Sequence, residues 1–293
     1  MRLMIFGAGY SGKAIGKLLG SEGASVAGTT RSAEKGKALE DMGIRPFVFD
    51  GASLSEPLHA ELSETTHLVQ SIAPGSEGDP LIRLCGQPGI KALMPKLEWI
   101  VYLSTVGVYG DHQGAWVNEE SELKPVSVRS VERVDAEQAW QVVAARAGLP
   151  LSILRLSGIY GPGRNTFMNL ANGTARRLVK KDQVFNRIRV EDIASATAFL
   201  AGPKTGGIFN VTDDMPSPPQ DVVTEAARLM EMDAPAEQPF ETAELTPMAR
   251  SFYGENKRVS NAKIKSLGFN FQYPNYMMSL ADLLRSGTWN QRG

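Results

Sequence analysis

Short apolar runs alternate with amphipathic segments along most of this chain. The runs cover residues 2–6, 24–28, 45–50, 67–73, 99–104 and 151–156, and the first is followed by Ala14, Ile15, Leu18 and Leu19 at helical spacing. Such alternation is typical of parallel strands joined by crossover helices. With a seventh strand at residues 207–211, the pattern predicts an α/β fold with a doubly wound parallel sheet.

The pattern becomes less regular after residue 211. A helical turn is expected near residues 261–267 and a final helix over about residues 276–285. Asp192 is expected to cap a helix that begins at Ile193, because a carboxylate accepts hydrogen bonds from the first backbone N–H groups of a helix.

A glycine motif follows the first predicted strand directly and precedes the first predicted helix. It reads Gly7-Ala-Gly-Tyr-Ser-Gly12. In this position a GxGxxG turn brings backbone N–H groups and a helix N-terminus to a pyrophosphate. We therefore predict a dinucleotide site formed by Gly7, Gly9, Tyr10, Ser11 and Gly12; the alternative is a glycine-rich turn without a ligand.

The end of the second strand indicates which dinucleotide is bound. Sites for NAD carry an acidic residue here, whereas an arginine can hold the 2′-phosphate of NADP. The chain has Thr30-Arg31-Ser32 and no acid, which favours NADP over NAD. The alternative is a solvated Arg31 at the start of a helix.

Composition excludes several classes of protein. The 293 residues carry a formal net charge of −1, so the overall charge favours neither nucleic acid nor an anionic membrane. Cys85 is the one cysteine, which leaves no intramolecular disulfide and no zinc cluster. No apolar run reaches the roughly 18 residues of a membrane span. We expect a cytoplasmic protein without a metal, a membrane partner or a nucleic-acid partner.

In open α/β sheets, ligands bind outside the carboxyl ends of the strands. The residues at these ends are therefore expected to converge on one crevice and to line the cofactor or the substrate: Asp50, Ser71, Ile72, Ala73, Pro74, Ser104, Thr105 and residues 157–160.

Three further segments resemble landmarks of one family. They are Tyr102-Leu-Ser-Thr-Val-Gly-Val-Tyr-Gly110, Leu154-Arg-Leu-Ser-Gly-Ile-Tyr-Gly-Pro-Gly-Arg164 and Asn186-Arg-Ile-Arg-Val-Glu-Asp-Ile-Ala194. With the opening glycines they resemble, over residues 1 to about 211, the extended short-chain dehydrogenases, which include the NAD(P)-dependent sugar-nucleotide epimerases and dehydratases. The resemblance implies a Rossmann-type core of about seven strands. It divides the chain into a dinucleotide-binding domain (1–160 and 183–211) and a small C-terminal substrate lobe (161–182 and 212–293), and it brings Asp50 close to the adenine.

The resemblance also shows a departure from the family pattern. In that family a Ser or Thr on the fifth strand works with a Tyr and a Lys four residues apart on the next helix. Thr105 matches the Ser/Thr position, but counting back from Glu137 puts Arg133 at the Lys and Arg129 at the Tyr. A guanidinium keeps its proton and cannot act as the acid or base, although it can bind anions.

We therefore expect Arg133 to contact the cofactor, and Arg129 and Arg164 to bind an anionic substrate. The alternative for Arg129 and Arg133 is a pair of solvated arginines next to Glu132 and Glu137.

The proton must then come from another group. Thr105 and Tyr109 are the catalytic candidates, and for Tyr109 the alternative is a structural role in the loop. Tyr253 and Lys257 also have the YxxxK spacing, but a surface turn explains them better, and His112 is better explained by a polar turn.

Three functions fit these features. The first is an NADP-dependent oxidoreductase of the atypical extended type, acting on a small carbonyl or hydroxyl compound. The second is a non-catalytic NADP-binding sensor or regulatory protein, and the third is an NAD-dependent sugar-nucleotide epimerase or dehydratase. The resemblance also implies a homodimer formed through the helices beside the fifth strand, with Trp140 as a candidate contact.

Overall fold

The computed structural model describes residues 1–291, and of Met248 only the backbone. Strands and helices are numbered along the chain. The strands are β1 (Arg2–Phe6), β2 (Ser25–Thr30), β3 (Arg45–Val48), β4 (His67–Gln70), β5 (Trp99–Thr105), β6 (Trp116–Val117), β7 (Leu151–Leu156), β8 (Gly158–Tyr160), β9 (Arg177–Val179), β10 (Arg187–Arg189), β11 (Gly207–Val211), β12 (Glu237–Pro239) and β13 (Arg258–Val259).

The helices are α1 (Tyr10–Ser21), α2 (Gly36–Glu40), α3 (Glu56–Glu64), α4 (Pro80–Cys85), α5 (Ile90–Leu93), α6 (Val128–Ala147), α7 (Thr166–Ala171), α8 (Val190–Ala201), α9 (Pro219–Leu229), α10 (Pro247–Phe252), α11 (Ala262–Ser266) and α12 (Tyr276–Arg285). Short 3₁₀ turns occur at Ala33–Lys35, Val106–Tyr109 and Phe240–Thr242. In the part of the chain that is described, we find no helix with the length and apolar character to cross a membrane.

A seven-stranded sheet in the order β11-β7-β5-β4-β1-β2-β3 forms the centre of the fold. β1 pairs in parallel with β2 and β4, with Met4 opposite Ala27 and Leu68. The predicted α/β fold with a seven-stranded parallel sheet is confirmed. Because the paired strands are parallel, their carboxyl ends lie along one edge of the sheet.

The first compact unit comprises residues 1–108, 128–155 and 193–209. Its core contains Met4 and Phe6 of β1, Leu68 of β4, Ile100 of β5 and Trp140 of α6, all fully buried. The strand residues are apolar positions that the hydrophobic pattern predicts, so burial of apolar surface explains the layered arrangement.

The second compact unit comprises residues 109–127, 156–192 and 210–293. It contains three two-stranded parallel pairs, β8 with β10, β9 with β12 and β6 with β13. This unit is larger than the predicted lobe because residues 109–127, 156–160 and 183–192 also group with it. The β6–β13 and β8–β10 pairs explain the difference, since each joins two segments within this unit.

Candidate functional site

The glycine turn between β1 and α1 has the conformation that its sequence predicts. Gly7 adopts φ +83°, and a Cβ atom there would lie 2.9 Å from Cγ1 of Ile72. The Gly7 N–H donates to Oγ1 of Thr29 at 2.8 Å. A side chain at this position would therefore strain the backbone and push against the residue that follows β4.

The other two glycines of the motif have separate tasks. At Gly12 a Cβ would lie 3.0 Å from the carbonyl oxygen of Gly7 and 3.0 Å from Cγ2 of Ile5, so the glycine lets α1 pack against β1. At Gly9 the nearest atom to a Cβ would be 4.0 Å away. Gly9 is also the N-cap of α1, and within residues 1–291 no side chain caps this helix. The turn therefore leaves space for a phosphate group at a helix N-terminus.

Polar residues follow β2 and β3 at the same edge of the sheet. Arg31 is exposed at the end of β2, and Thr30 and Ser32 beside it are half-buried. Asp50 is exposed, and its Oδ1 accepts a hydrogen bond from the Ala52 N–H at 2.9 Å, which is a turn interaction. At the end of β4, Ser71 and Ile72 are half-buried and Ala73 is exposed.

Ser104 at the end of β5 belongs to a buried network. Its hydroxyl donates to Oε1 of Glu137 at 2.5 Å, and Arg155 donates from Nη2 to Oε2 of Glu137 at 2.7 Å. The side chains of Arg155 and Glu137 are only 3% and 2% exposed. The Ser104 side chain is thus engaged inside the protein, and its predicted cofactor contact finds no support from the side chain.

Glu137 determines which face of α6 is turned towards the sheet. Arg133, one turn earlier, is half-buried and donates from Nη1 to the Leu103 carbonyl oxygen at 2.5 Å and to the Tyr102 hydroxyl at 3.4 Å. Burial raises the pKa of Tyr102 to about 12, and the charge of Arg133 opposes that shift. Arg129, a further turn back, is exposed. Arg133 therefore presents a fixed positive charge at the carboxyl end of β5.

Thr105 and Tyr109 have different environments. Oγ1 of half-buried Thr105 accepts the Gly107 N–H at 3.1 Å, which leaves the hydroxyl hydrogen available as a donor. Tyr109 is fully buried, and its hydroxyl donates to Oδ1 of Asn210 at 2.7 Å. The 3₁₀ turn after β5 places Tyr109 in the interior of the second unit, so this geometry supports the structural alternative for Tyr109.

The remaining candidate acids and bases make structural contacts. The Tyr253 ring packs against Phe185 and Phe240, with centroids 5.0 and 4.9 Å away. Nζ of Lys257 is buried and donates to the Gly110 carbonyl oxygen at 2.7 Å. His112 contacts the Glu122 carbonyl oxygen at 3.2 Å. Tyr253 and Lys257 are both buried, so the expected surface turn is wrong, and their YxxxK spacing coincides with packing.

Two further sequence expectations are wrong. Asp192 does not cap a helix at Ile193, because α8 already begins at Val190; its carboxylate accepts the N–H groups of Gln272 and Tyr273 at 2.7 and 3.0 Å. Trp140 cannot be a subunit contact, because it is fully buried and its Nε1 donates to Asp79 at 3.0 Å.

An open groove of about 430 Å³ lies within the second unit. Its lining includes Tyr160, exposed Arg164 and three asparagines, Asn165, Asn169 and Asn172. Asn165 holds the groove in shape, since its Oδ1 accepts the Met168 N–H at 3.1 Å and its Nδ2 donates to the Gly161 carbonyl oxygen at 2.7 Å.

Sequence reasoning missed a polar cluster in the same unit, which consists of half-buried Tyr160 and Arg187 and buried Asp213. Asp213 is 1% exposed, and burial raises the pKa of its carboxyl group to about 7 while Arg187 opposes that shift. The available signals were Arg187 in the Arg-Ile-Arg strand β10 and Asp213 two residues after the end of β11.

Comparison with known proteins agrees with the fold. Residues 79–211 match the NAD dependent epimerase/dehydratase family. A functionally unknown conserved protein from Silicibacter pomeroyi is 43% identical, with a TM-score of 0.89 over 98% of this chain and 99% of that chain. Protein YeeZ of Escherichia coli K12 is 26% identical over 93% of this chain and 96% of its own.

A more distant structure shares the fold alone. The human epimerase family protein SDR39U1, solved with NADPH, is 16% identical with a TM-score of 0.73 and covers 97% of this chain and 99% of its own. The fold and the family match support the class of NAD dependent epimerases and dehydratases. With 43% identity over nearly its whole length, the chain belongs to the same family as the Silicibacter protein.

Proposed function

We propose that this protein is an NADP-dependent oxidoreductase of the atypical extended short-chain dehydrogenase type. The proposal rests on two features at the same edge of the sheet. The glycine turn leaves space at Gly9 in front of α1, and Arg31 is exposed at the end of β2. The backbone of Gly7, Gly9 and Gly12 would hold the pyrophosphate. Arg31, with Thr30 and Ser32, would hold the 2′-phosphate through charge-assisted hydrogen bonds.

The residues at the end of β5 support carbonyl reduction without a tyrosine relay. When bound, NADPH supplies the hydride. The Thr105 hydroxyl, whose oxygen already accepts the Gly107 N–H, can donate a hydrogen bond to a carbonyl oxygen, and the alkoxide that hydride transfer would form takes its proton from solvent water. Arg133, held at the Leu103 carbonyl, adds a positive charge that stabilises an anion but cannot release a proton. Arg129 and Arg164 are our candidates for binding an anionic group of the substrate.

One observation favours a second function, that of a non-catalytic NADP-binding sensor. The buried Tyr109 hydroxyl is bonded to Asn210, so Tyr109 does not stand in for the family's tyrosine, whose position we expect from the sequence spacing to hold Arg129. A third candidate, a sugar-nucleotide epimerase, is supported by the family match to residues 79–211.

The first experiment is a fluorescence titration of the purified protein with NADPH and NADH. The wild type is compared with Arg31→Ala and with a control, Arg146→Ala, which removes another exposed arginine. We expect Arg31→Ala to weaken NADPH binding about tenfold or more, because a charge-assisted bond to phosphate contributes roughly 1.5–3 kcal/mol, and to leave NADH binding unchanged. The proposed preference for NADPH would be contradicted if Arg31→Ala weakened the binding of NADPH and NADH equally. It would also be contradicted if Arg31→Ala and Arg146→Ala had equal effects on NADPH binding.

A second experiment separates the enzyme from the sensor. NADPH oxidation is followed with a panel of small carbonyl compounds for the wild type, Thr105→Val and Thr105→Ser. Turnover that is lost in Thr105→Val and largely kept in Thr105→Ser supports the oxidoreductase, because serine retains the hydroxyl. NADPH binding without turnover on any compound supports the sensor, and tightly bound NAD after purification supports the epimerase.

A further inference from the structure

The backbone holds Tyr160, Arg187 and Asp213 together in the second unit. β8 and β10 pair in parallel, with Gly158 opposite Arg187. The Asp213 N–H donates to the Arg187 carbonyl oxygen at 2.8 Å. Three separate chain segments are thus held together by main-chain hydrogen bonds, and the side chains of Asp213 and Tyr160 lie close enough to act on the charge of Arg187. We call Tyr160, Arg187 and Asp213 the Arg187 site.

Half-buried Arg187 differs from Arg155 and Arg189, which are buried. Arg155 donates to Glu137 and Arg189 donates to Glu191, each at 2.7 Å. Nη1 of half-buried Arg187 donates to the carbonyl oxygens of Phe185 and Ser217 at 3.0 and 3.2 Å. Among residues 1–291 its Nε and Nη2 make no hydrogen bond, and no carboxylate lies within 4.0 Å of it. Its free edge therefore keeps two parallel donors.

Two other polar atoms of the site also lack partners. Oδ1 of Asp213 accepts the Met215 N–H at 3.1 Å, whereas Oδ2 is buried and has no partner among the described residues. The buried hydroxyl of Tyr160 likewise completes no hydrogen bond of standard geometry in this part of the chain; the Ser279 side chain beside it opposes the rise that burial causes in the pKa of the phenol. A buried polar group without a partner costs about 1–3 kcal/mol, so such groups call for an explanation, and a ligand is one.

We propose that the Arg187 site binds a small carboxylate, which the guanidinium holds through Nε and Nη2 and which Tyr160 and Asp213 bind through their hydroxyl hydrogens. Two guanidinium donors match the planar geometry of a carboxylate. The Tyr160 and Asp213 hydroxyls bring the donors to four, the number of lone pairs on the two oxygens. A phosphate carries more oxygens than these four donors can satisfy.

In this arrangement Asp213 must carry a proton, which it keeps as it donates to the bound carboxylate. Its pKa of about 7 makes that form available at neutral pH. The charged groups that act on Asp213 are Arg187, Asp192 and Asp214, and the Tyr160 phenol is also close. Asp192 accepts two backbone N–H groups and Asp214 is paired with Lys265, so both have partners of their own.

The tyrosines beside Arg187 keep their protons in the pH range of the test. Tyr253 and Tyr276 also act on the guanidinium, and burial raises the pKa of each. Burial also raises the pKa of Tyr160. The site does not depend on the proposed cofactor function, because its residues all belong to the second unit.

The test uses ¹³C-labelled acetate as the probe and NMR line broadening of its methyl signal as the readout. We expect saturable acetate binding that Arg187→Lys weakens tenfold or more, because lysine keeps the charge but loses the planar pair of donors. Tyr160→Phe should weaken it several-fold, and the control Arg146→Lys should not change it. Unchanged binding in Arg187→Lys, or displacement of acetate by an equal concentration of inorganic phosphate, would overturn the proposal.

The pH dependence provides a readout that a structural role would not change. The affinity of the wild-type protein for acetate should fall about tenfold per pH unit above pH 7, because acetate binding needs protonated Asp213. Asp213→Asn keeps a hydrogen-bond donor but has no titrating proton, so the affinity of this variant for acetate should stay level up to pH 8.5. A fall in its affinity equal to that of the wild type would refute the role of Asp213. NADPH titration of the same samples shows whether the proposed cofactor function fails separately.

Discussion

The ion pair of Arg155 and Glu137 gives the sharpest test of how the first unit is stabilised. Both side chains are almost fully buried, and three N–H to oxygen hydrogen bonds of 2.7, 3.2 and 3.3 Å join them. Removing one partner of such a pair leaves an uncompensated buried charge and costs about 3–5 kcal/mol. We therefore expect Arg155→Met to lose about that much free energy of unfolding at pH 7.

The assay is urea unfolding followed by tryptophan fluorescence, since Trp99 and Trp140 are fully buried in the same unit. With a slope of about 2–3 kcal/mol per molar urea, the midpoint should fall by about 1–2.5 M. The double variant Arg155→Met/Glu137→Met should recover most of the loss, because apolar side chains often replace a buried ion pair at little cost.

A loss below about 1 kcal/mol, or a double variant no more stable than Arg155→Met, would refute the reasoning.

Two further changes test the glycine turn and Tyr109. Gly7→Ala should cost about 1–3 kcal/mol of stability and abolish NADPH binding, because φ at Gly7 is +83° and the new Cβ would lie 2.9 Å from Ile72. Calorimetry measures the loss of stability and titration with NADPH measures the binding. NADPH binding as tight as that of the wild type would contradict this prediction. Tyr109→Phe should leave any turnover nearly unchanged and cost about 1 kcal/mol, because its hydroxyl donates to Asn210 inside the protein. A loss of kcat with normal stability would instead make Tyr109 catalytic.

The central sheet could be predicted because its determinants are local. Each strand is a short apolar run bounded by polar or small residues, and β7 and β11 have the predicted bounds, Leu151–Leu156 and Gly207–Val211. Helix α12, Tyr276–Arg285, likewise begins and ends where its apolar spacing predicts. For such elements the sequence spacing alone determines which face is buried.

The details of the site depend on residues that are distant in the sequence. Tyr109 is fixed by Asn210, Asp192 by Gln272 and Tyr273, and Ser104 by Glu137. A turn after a strand can point the next side chain to either side, and only the tertiary partner decides between them. The Arg187 site was missed for the same reason, since β8, β10 and the segment after β11 meet only in the folded chain.

The pairing of β6 with β13 has a consequence for biosynthesis. Trp116 and Val117 pair with Arg258 and Val259, so β6 leaves the ribosome roughly 140 residues before its partner, or about 7–30 s at common elongation rates. During that interval the edge of β6 and the side chain of Val117, which is buried in the folded protein, lack their final neighbours, and nascent-chain chaperones can bind them. The second unit therefore completes its fold only after nearly all of the chain has been synthesised, whereas most strands of the first unit are made much earlier.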